Sequence, residues 1–196
     1  GSEIKQSSIK MGYNYYQLTN SACFYAPSFQ LYFQGTKKVS TFCNKDFHDK
    51  TTKLILDLDN SITIIGANWT QAFGIERYQN FKFGISRHNF PYKYISDTNS
   101  NLRVSLKDSL LRLLDKGEKI IIIYPMPEAG FNVVKQLKKN LNKDNPPDFS
   151  SPFKIYKNRT KEIFTVLDSI VHDNIFRIYP HKLFCDNITP DKCVVK

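Results

Sequence analysis

The chain has 196 residues, of which 41% are hydrophobic, so it can bury the core of one globular domain, and this composition excludes intrinsic disorder. It contains no run of roughly 18 or more apolar residues, which excludes a membrane-spanning helix within it, and the start GSEIKQ lacks the basic-then-apolar order of a signal peptide. The net charge of +10 is compatible with anionic partners, but the lysines occur in ones and twos and are interpreted mainly as solvated.

Helices and strands alternate in the N-terminal part of the predicted order. The first helix ends at Gly12, a residue type that commonly stops helices, and an aromatic-rich strand follows it. A longer helix then contains Cys43 and precedes a buried strand. The predicted elements are a helix over 2–11, a strand over 13–18, a loop over 19–35, a helix over 39–58, a strand over 61–65 and, over 78–101, an irregular excursion or a pair of short strands.

The stretch over 119–131, KIIIIYPMPEAGF, defines the centre of the predicted fold. Its four consecutive isoleucines have no polar alternation, which predicts a strand that is buried on both faces, as in a parallel sheet. Pro125 and Pro127 then end the strand in a loop. Because ligands of open α/β sheets bind just past the carboxyl ends of strands, this loop is predicted to lie at the site.

Apolar residues recur at helical spacing on both sides of this strand. A helix that starts at Leu102 closes at Gly117 before the strand. After the strand, a second helix has an apolar side that includes Phe131, Val134, Leu137 and Leu141. The remaining predicted elements are a proline-rich loop over 142–152, an amphipathic helix over 163–171 and a strand over 175–179.

The order of these elements predicts the architecture. Strands begin at about positions 13, 61, 120 and 175, and helices separate them, which is the order that makes a parallel sheet with helices on both faces. We predict a single domain over residues 1–196 with a three-layer α/β/α fold, flavodoxin-like in outline, with a mainly parallel sheet.

Three strand-end loops are predicted to meet at one edge of this sheet: 19–21, 66–69 and 125–128. In the second loop, a backbone N–H at Gly66 and the side-chain amide of Asn68 could both donate to one oxyanion, which is what an acyl-transfer site requires. A turn in which Asn68 caps its own backbone explains the same residues equally well.

Four cysteines form two local pairs, Cys23 with Cys43 and Cys185 with Cys193, with 19 and 7 residues between their members. None belongs to a C-x-x-C motif, so a zinc ribbon or a thioredoxin-type site is not predicted. The even count favours two disulfides and an oxidising compartment. Four unpaired buried thiols in a cytosolic protein remain the alternative.

The sequence contains no G-x-G-x-x-G motif and no P-loop, so a nucleotide cofactor has no sequence support. His48 and His172 fall within predicted helices and are interpreted as surface residues, while His88 lies in the irregular stretch. His181 follows the last strand, but no acid precedes it by two or three residues. We interpret it as a structural loop histidine, and we predict no cofactor and no metal.

Five motifs follow one another along the chain: QLTNSAC over 17–23, a cysteine in the next helix, a buried strand that closes at Trp69, PMPEAGF over 125–131, and LFCDNITPDKC over 183–193. Their order resembles the SGNH domain that is fused to membrane acyltransferase-3 proteins of bacteria. The resemblance covers most of the chain. Its most specific parts are the P-x-P-E-x-G-F turn and the paired C-terminal cysteines.

The resemblance implies an SGNH-hydrolase-like fold and an extracytoplasmic glycan O-acetyltransferase. The family's G-D-S-H nucleophile block and its Asp-x-x-His block do not occur in these 196 residues, so we expect them in flanking parts of a longer, membrane-anchored protein. The family's third block, G-x-N-D or a degenerate run that ends in Trp, matches Gly66, Asn68 and Trp69. Gly66 and Asn68 are thereby implied as oxyanion donors, and Trp69, Pro127 and Glu128 as substrate contacts.

The resemblance also implies the partners: a surface-glycan acceptor and an acetyl donor supplied through a membrane acyltransferase domain, with no nucleic acid. Two alternatives share the fold, namely an esterase and a catalytically inactive glycan-binding module that uses Trp69, Tyr92 and Tyr94 as sugar platforms. A cytosolic nucleic-acid binder rests on the positive charge alone.

Overall fold

The computed structural model describes residues 2–19, 22–83, 91–96, 98–145 and 147–194. Its helices are α1 (Ser2–Lys10), α2 (Lys45–Leu56), α3 (Trp69–Ala72), α4 (Leu102–Asp115), α5 (Val133–Asn140), α6 (Phe153–Asp168) and α7 (His181–Phe184), with a 3₁₀ turn at Phe81–Phe83. Its strands are β1 (Gln30–Phe33), β2 (Lys38–Val39), β3 (Ile62–Gly66), β4 (Tyr92–Ile95), β5 (Lys119–Ile123), β6 (Ser151–Pro152), β7 (Ile175–Ile178) and β8 (Lys192–Cys193). Within these described ranges, no helix has the length and apolar character to cross a bilayer.

The central sheet is parallel, with β5 between β3 and β7. Ile121 in the middle of β5 aligns with Ile64 on one side and Phe176 on the other. Three of the four strands predicted for this sheet are confirmed, and the chain has an α/β fold. The strand predicted over 13–18 is wrong, because these residues have no regular secondary structure. Their aromatic side chains favour a strand only where a partner strand is available.

The two faces of this sheet differ in burial. On one face, Ile120 and Ile122 are completely buried, and this face packs on α4 and α6 through the leucines and isoleucines of the main core: Leu106, Leu110, Leu113, Leu114, Ile163 and Leu167. On the other face, the alternating side chains Ile62, Ile64, Phe176 and Ile178 are exposed. The expectation that β5 is buried on both faces is therefore wrong, since Ile121 and Ile123 are only half-buried.

A small antiparallel sheet of order β2-β1-β4 joins two distant stretches of the chain. The stretch over 19–35 was predicted as a loop, which is wrong at β1, and the stretch over 78–101, predicted as an irregular excursion or a pair of short strands, contains β4. The disulfide Cys23–Cys43 holds the start of this region to the segment before α2. Cys43 was predicted inside a helix and lies before it, because the Ser40 hydroxyl accepts the N–H groups of Phe42 and Cys43 in a turn, and Asn44 caps the helix that follows.

The C-terminal region contains the second disulfide, Cys185–Cys193. Both disulfide pairings are confirmed, and the alternative of four free thiols is excluded. The helix predicted over 163–171 starts ten residues earlier, at Phe153, and ends at Asp168. Tyr156 of this helix packs with the two cysteines in a small second core.

Helix α5 does not pack on the core through the apolar side that the sequence predicted. Its apolar stripe, Val134, Leu137 and Leu141, is exposed, whereas the polar side chain of Asn140 is buried. An amphipathic helix of a globular domain ordinarily has its apolar stripe against the core. Phe131, the remaining member of the predicted apolar side, is buried.

Candidate functional site

A cleft of about 330 Å³ opens at the carboxyl ends of β3 and β5. Its walls are formed by Asn68, by residues 77–79, by Glu128 and by residues 130–134. Its volume is at the lower end of the range that small-molecule sites occupy. Two residues singled out from the sequence, Asn68 and Glu128, therefore line one cleft, as the shared edge of a parallel sheet requires.

Asn68 is the N-cap of the short helix α3. Its Oδ1 accepts the hydroxyl of Thr70 at 3.0 Å and the backbone N–H of Gln71 at 3.4 Å. The capping role that the sequence left open is thus present. Both of these hydrogen bonds use Oδ1, so capping leaves the Nδ2 group able to donate to a ligand. The residue is exposed at the cleft, and capping and ligand binding are compatible.

Gly66 lies at the end of β3, opposite Ile123 of β5, and it is not among the residues that line the cleft. A Cβ atom at this position would lie 3.5 Å from the Cβ of Ile123, which is an ordinary contact. Packing therefore does not require glycine here. Pro127 also lies outside the lining of the cleft, although its neighbour Glu128 belongs to it.

Trp69 is buried and has no surface that a substrate could contact. Its side chain is 1% exposed, and its indole N–H donates to the carbonyl of Ile123 at 2.8 Å. The ring also packs edge-on against Phe24 and Phe73. The expectation that Trp69 contacts substrate is therefore corrected. The residue ties the start of α3 to the end of β5 and so fixes the position of Asn68.

An ion pair holds Glu128 in the wall of the cleft. Arg159 of α6 donates to Oε2 of Glu128 through Nη2 at 2.8 Å and Nε at 3.1 Å. The same guanidinium donates to the backbone carbonyl of Glu76 and lies 5.8 Å from the ring centroid of Tyr78. Arg159 thus connects the loop after β5 to the segment that contains Glu76 and Tyr78.

The P-x-P-E-x-G-F turn requires a glycine at Gly130, because the segment of Tyr78 and Asn80 lies close to its backbone. Gly130 has a φ of +75°, and a Cβ atom there would lie 2.6 Å from the ring of Tyr78 and 2.7 Å from the backbone nitrogen of Asn80. The N–H of Asn80 donates to the carbonyl of Gly130 at 2.9 Å. The segment 77–80 was missed as a site element, because no periodicity marks it in the sequence.

His181 lies outside the cleft, at the start of α7, among the rings of Phe153, Tyr156, Phe164 and Tyr179. Burial, assisted by the charge of Lys182, lowers the pKa of its imidazole. The Tyr156 hydroxyl donates to the carbonyl of Pro125 at 2.8 Å, so the contact of 3.3 Å between this hydroxyl and Nδ1 has the imidazole as donor. His181 thus has a packing role, consistent with the interpretation as a structural histidine.

The other two described histidines are not part of the cleft. His48 was interpreted as a surface residue and is completely buried, so that interpretation is wrong. Its ligand atoms lie within 4.8 Å of the sulfurs of Cys23 and Cys43, but these sulfurs are bonded to each other and offer no thiolate to a metal. His172 accepts the backbone N–H of Asn174 at 3.0 Å through Nδ1. His88 lies outside the described residues.

Two of the three aromatic residues considered as sugar platforms, Tyr92 and Tyr94, belong to the small antiparallel sheet, and the third is the buried Trp69. Tyr94 packs edge-on against Phe24, and its hydroxyl donates to the carbonyl of Ala22. Tyr92 packs against Phe33. Both rings are partly buried in this sheet, and neither lines the cleft, whose aromatic lining residues are Tyr78 and Phe131.

Comparison with protein families shows which family the chain belongs to. Residues 2–195 match the SGNH domain (fused to AT3 domains). The chain belongs to this family of SGNH domains, which occur in acyltransferases. No curated protein and no solved structure matches the chain.

Proposed function

We propose that this chain is an extracytoplasmic SGNH-type domain that transfers an acetyl group to hydroxyls of a bacterial surface glycan. The observation that carries the proposal is the cleft at the ends of β3 and β5, which Asn68, Tyr78 and Glu128 all line. The family match supports acyl chemistry, and two disulfides favour an oxidising compartment.

The proposed reaction proceeds through a serine acyl-enzyme. A serine Oγ attacks the acetyl carbonyl while a histidine, oriented by an aspartate, takes its proton. The Nδ2 group of Asn68 donates to the oxyanion of the tetrahedral intermediate, whereas Gly66, which does not line the cleft, is given no part in this step. The intermediate collapses as the histidine protonates the departing group of the acetyl donor, which leaves acetyl-serine. The histidine then takes the proton of a glycan hydroxyl, whose oxygen attacks the acetyl-serine, so that the acetyl ester forms on the glycan and the serine is regenerated. In this proposal, the serine and the Asp–His pair come from outside the 196 residues, as the resemblance to the family implies.

The domain in this proposal has a three-layer α/β/α arrangement, flavodoxin-like in outline. Further helical chain covers the exposed face of the parallel sheet. The apolar side chains on that face support it, because parallel sheets are ordinarily covered on both sides. The acetyl donor reaches the domain through a membrane acyltransferase domain, and the family's fusion to AT3 domains supports this partner and a tether to the inner membrane. Neither a cofactor nor nucleic acid takes part.

An inactive glycan-binding module and an esterase are the second candidates. The capping role of Asn68 is compatible with the inactive module, in which the residue has only this structural role. An acyl-enzyme that reacts with water instead of sugar would make the same site an esterase.

The test uses the full-length protein in membranes with a labelled acetyl donor and purified surface glycan. Label on the glycan supports the transferase, free acetate alone would indicate the esterase, and glycan binding without either product would indicate the inactive module. Replacing the cleft tyrosine, Tyr78→Ala, should raise the KM for glycan. Tyr13→Ala, at an exposed tyrosine outside the cleft, should leave it unchanged.

A further inference from the structure

Helix α5 presents an apolar stripe to solvent beside the cleft. Val134, Leu137 and Leu141 are 63%, 39% and 79% exposed, and their spacing places them on one side of the helix. The side of the helix next to this stripe carries Gln136, whose amide donates to the carbonyl of Phe83 at 3.3 Å, and the buried Asn140. The helix therefore docks on the domain through Gln136, Asn140 and the half-buried Val133, and its stripe of Val134, Leu137 and Leu141 remains in solvent.

The same helix is strongly basic. Between residues 132 and 145 there are four lysines and one aspartate, and all five side chains are exposed. The lysines are Lys135, Lys138, Lys139 and Lys143. A helix with an exposed apolar stripe flanked by lysines has the composition that binds at the interface of a bilayer, where apolar side chains enter the acyl boundary and lysines meet anionic headgroups.

A neighbouring turn adds to this surface. The 3₁₀ turn that contacts α5 carries Phe81, which is 75% exposed, next to Lys82. The turn is fixed by Phe83, whose ring lies 4.3 Å from that of Phe131 and 5.5 Å from that of Phe149. An exposed aromatic ring on a rigid turn is not needed for packing here.

We propose that the α5 surface, made of Val134, Leu137, Lys138, Lys139 and Leu141, seats the domain on an anionic phospholipid bilayer. Val133 and Val134 also line the cleft, so a domain held in this way has its cleft next to the headgroups. A lipid-linked glycan or an acyl donor that leaves a membrane protein reaches the cleft at that position.

Other occupants fit the surface less well. A second copy of the chain would bring the same four lysines against each other. An acidic polysaccharide would pair with the lysines but would gain nothing from three exposed aliphatic side chains. An anionic bilayer complements both the charge and the apolar stripe.

The experiment measures co-sedimentation of the 196-residue chain with vesicles of phosphatidylcholine, with and without phosphatidylglycerol. We expect binding to the anionic vesicles, weakened by salt, with the affinity reduced roughly tenfold or more by the pair Lys138→Glu and Lys139→Glu. Leu141→Asp should reduce it as well. Because these side chains are exposed, the variants should fold, which circular dichroism verifies.

Two matched controls separate this surface from the general charge. Lys37→Glu with Lys38→Glu makes the same charge change at another exposed lysine pair, and Val171→Asp makes the apolar change at another exposed position. Equal losses in the controls, or full binding by Leu141→Asp, would overturn the proposal, as would binding to an acidic polysaccharide in place of vesicles. Acetyl transfer is not measured here, so failure of this proposal leaves the proposed function standing.

Discussion

The two faces of the parallel sheet are built from similar residues and have opposite surroundings. Ile120 and Ile122 on one face are 0% exposed against α4 and α6, whereas Ile64 and Ile62 on the other are 44% and 46% exposed. Alternation along a strand makes neighbouring residues face opposite sides. Both faces of the sheet are therefore apolar. Within the described residues, only the face of Ile120 and Ile122 is covered, so only this face contributes fully buried side chains to stability.

The largest expected effect is on the covered face. Ile122→Ala removes a buried side chain from a packed core, which should lower the free energy of unfolding by about 2–5 kcal/mol. Urea denaturation of the chain with its disulfides intact measures this value. A loss below about 1 kcal/mol would mean that the core around Ile122 is not packed as described.

The disulfide next to the covered core should contribute nearly as much. Cys23–Cys43 closes a sequence separation of 20 residues and anchors the segment that contributes Phe24 to the main core. Replacing both cysteines by alanine should cost about 3 kcal/mol, from the entropy that the cross-link removes from the unfolded chain.

The second disulfide provides the comparison. Cys185–Cys193 has a separation of 8 residues and belongs to the small second core. Its removal should cost about 2.5 kcal/mol by the same entropy relation. A larger loss here than for Cys23–Cys43 would show that the C-terminal loop, and not the main core, limits stability.

Acid should lower the stability of the folded chain through the buried His48. Burial lowers the pKa of this imidazole to about 4, and both ring nitrogens lack a hydrogen-bond partner among the described residues. The unfolded chain binds a proton at a pKa of about 6.5 and the folded chain does not, so stability is complete above that pH. It should fall by about 1–3 kcal/mol as the pH decreases from about 6.5 to 4.

Denaturation curves across this pH range measure the loss, and His48→Phe serves as the comparison. The phenylalanine keeps a buried ring and removes the titrating group, so its stability should be nearly constant between these pH values. The same acid loss in both proteins would assign it to other groups.

The smallest expected effect is on the open face. Ile64→Ala deletes a side chain that is already 44% exposed, so its cost should be below about 1 kcal/mol. The urea measurement used for Ile122→Ala applies. A loss as large as that of Ile122→Ala would show that the open face is covered in solution, by another copy or by other polypeptide.

The difference between the faces also explains which predictions succeeded. The strands over 61–65, 119–123 and 175–179 follow from local apolar runs, and the edge that they share places Asn68 with Glu128. Which side of each strand is covered depends on helices far along the chain, so periodicity could not predict it. The direction of α5 was unpredictable for the same reason.

Other features depend on contacts between distant residues. Leu31 in β1 is paired with Tyr94 in β4, and no pattern within either stretch specifies that partner. The wall formed by Tyr78 has no periodicity, although Gly130 in the turn motif marks where another backbone comes close. The position of Trp69 after a strand suggested a substrate contact. Its burial rules this contact out, and burial depends on packing around α3 that the sequence pattern does not show.

The central claim is that Asn68 donates to the oxyanion in acetyl transfer, and it is tested by a substitution that separates this role from capping. Asn68→Ser keeps an oxygen that can accept the N–H of Gln71 but removes the Nδ2 donor. Asn101→Ser makes the same change at the N-cap of α4, away from the cleft. In the full-length protein, kcat for transfer to glycan should fall roughly 10²–10³-fold for Asn68→Ser and remain at the wild-type value for Asn101→Ser. A wild-type kcat in Asn68→Ser would contradict the account.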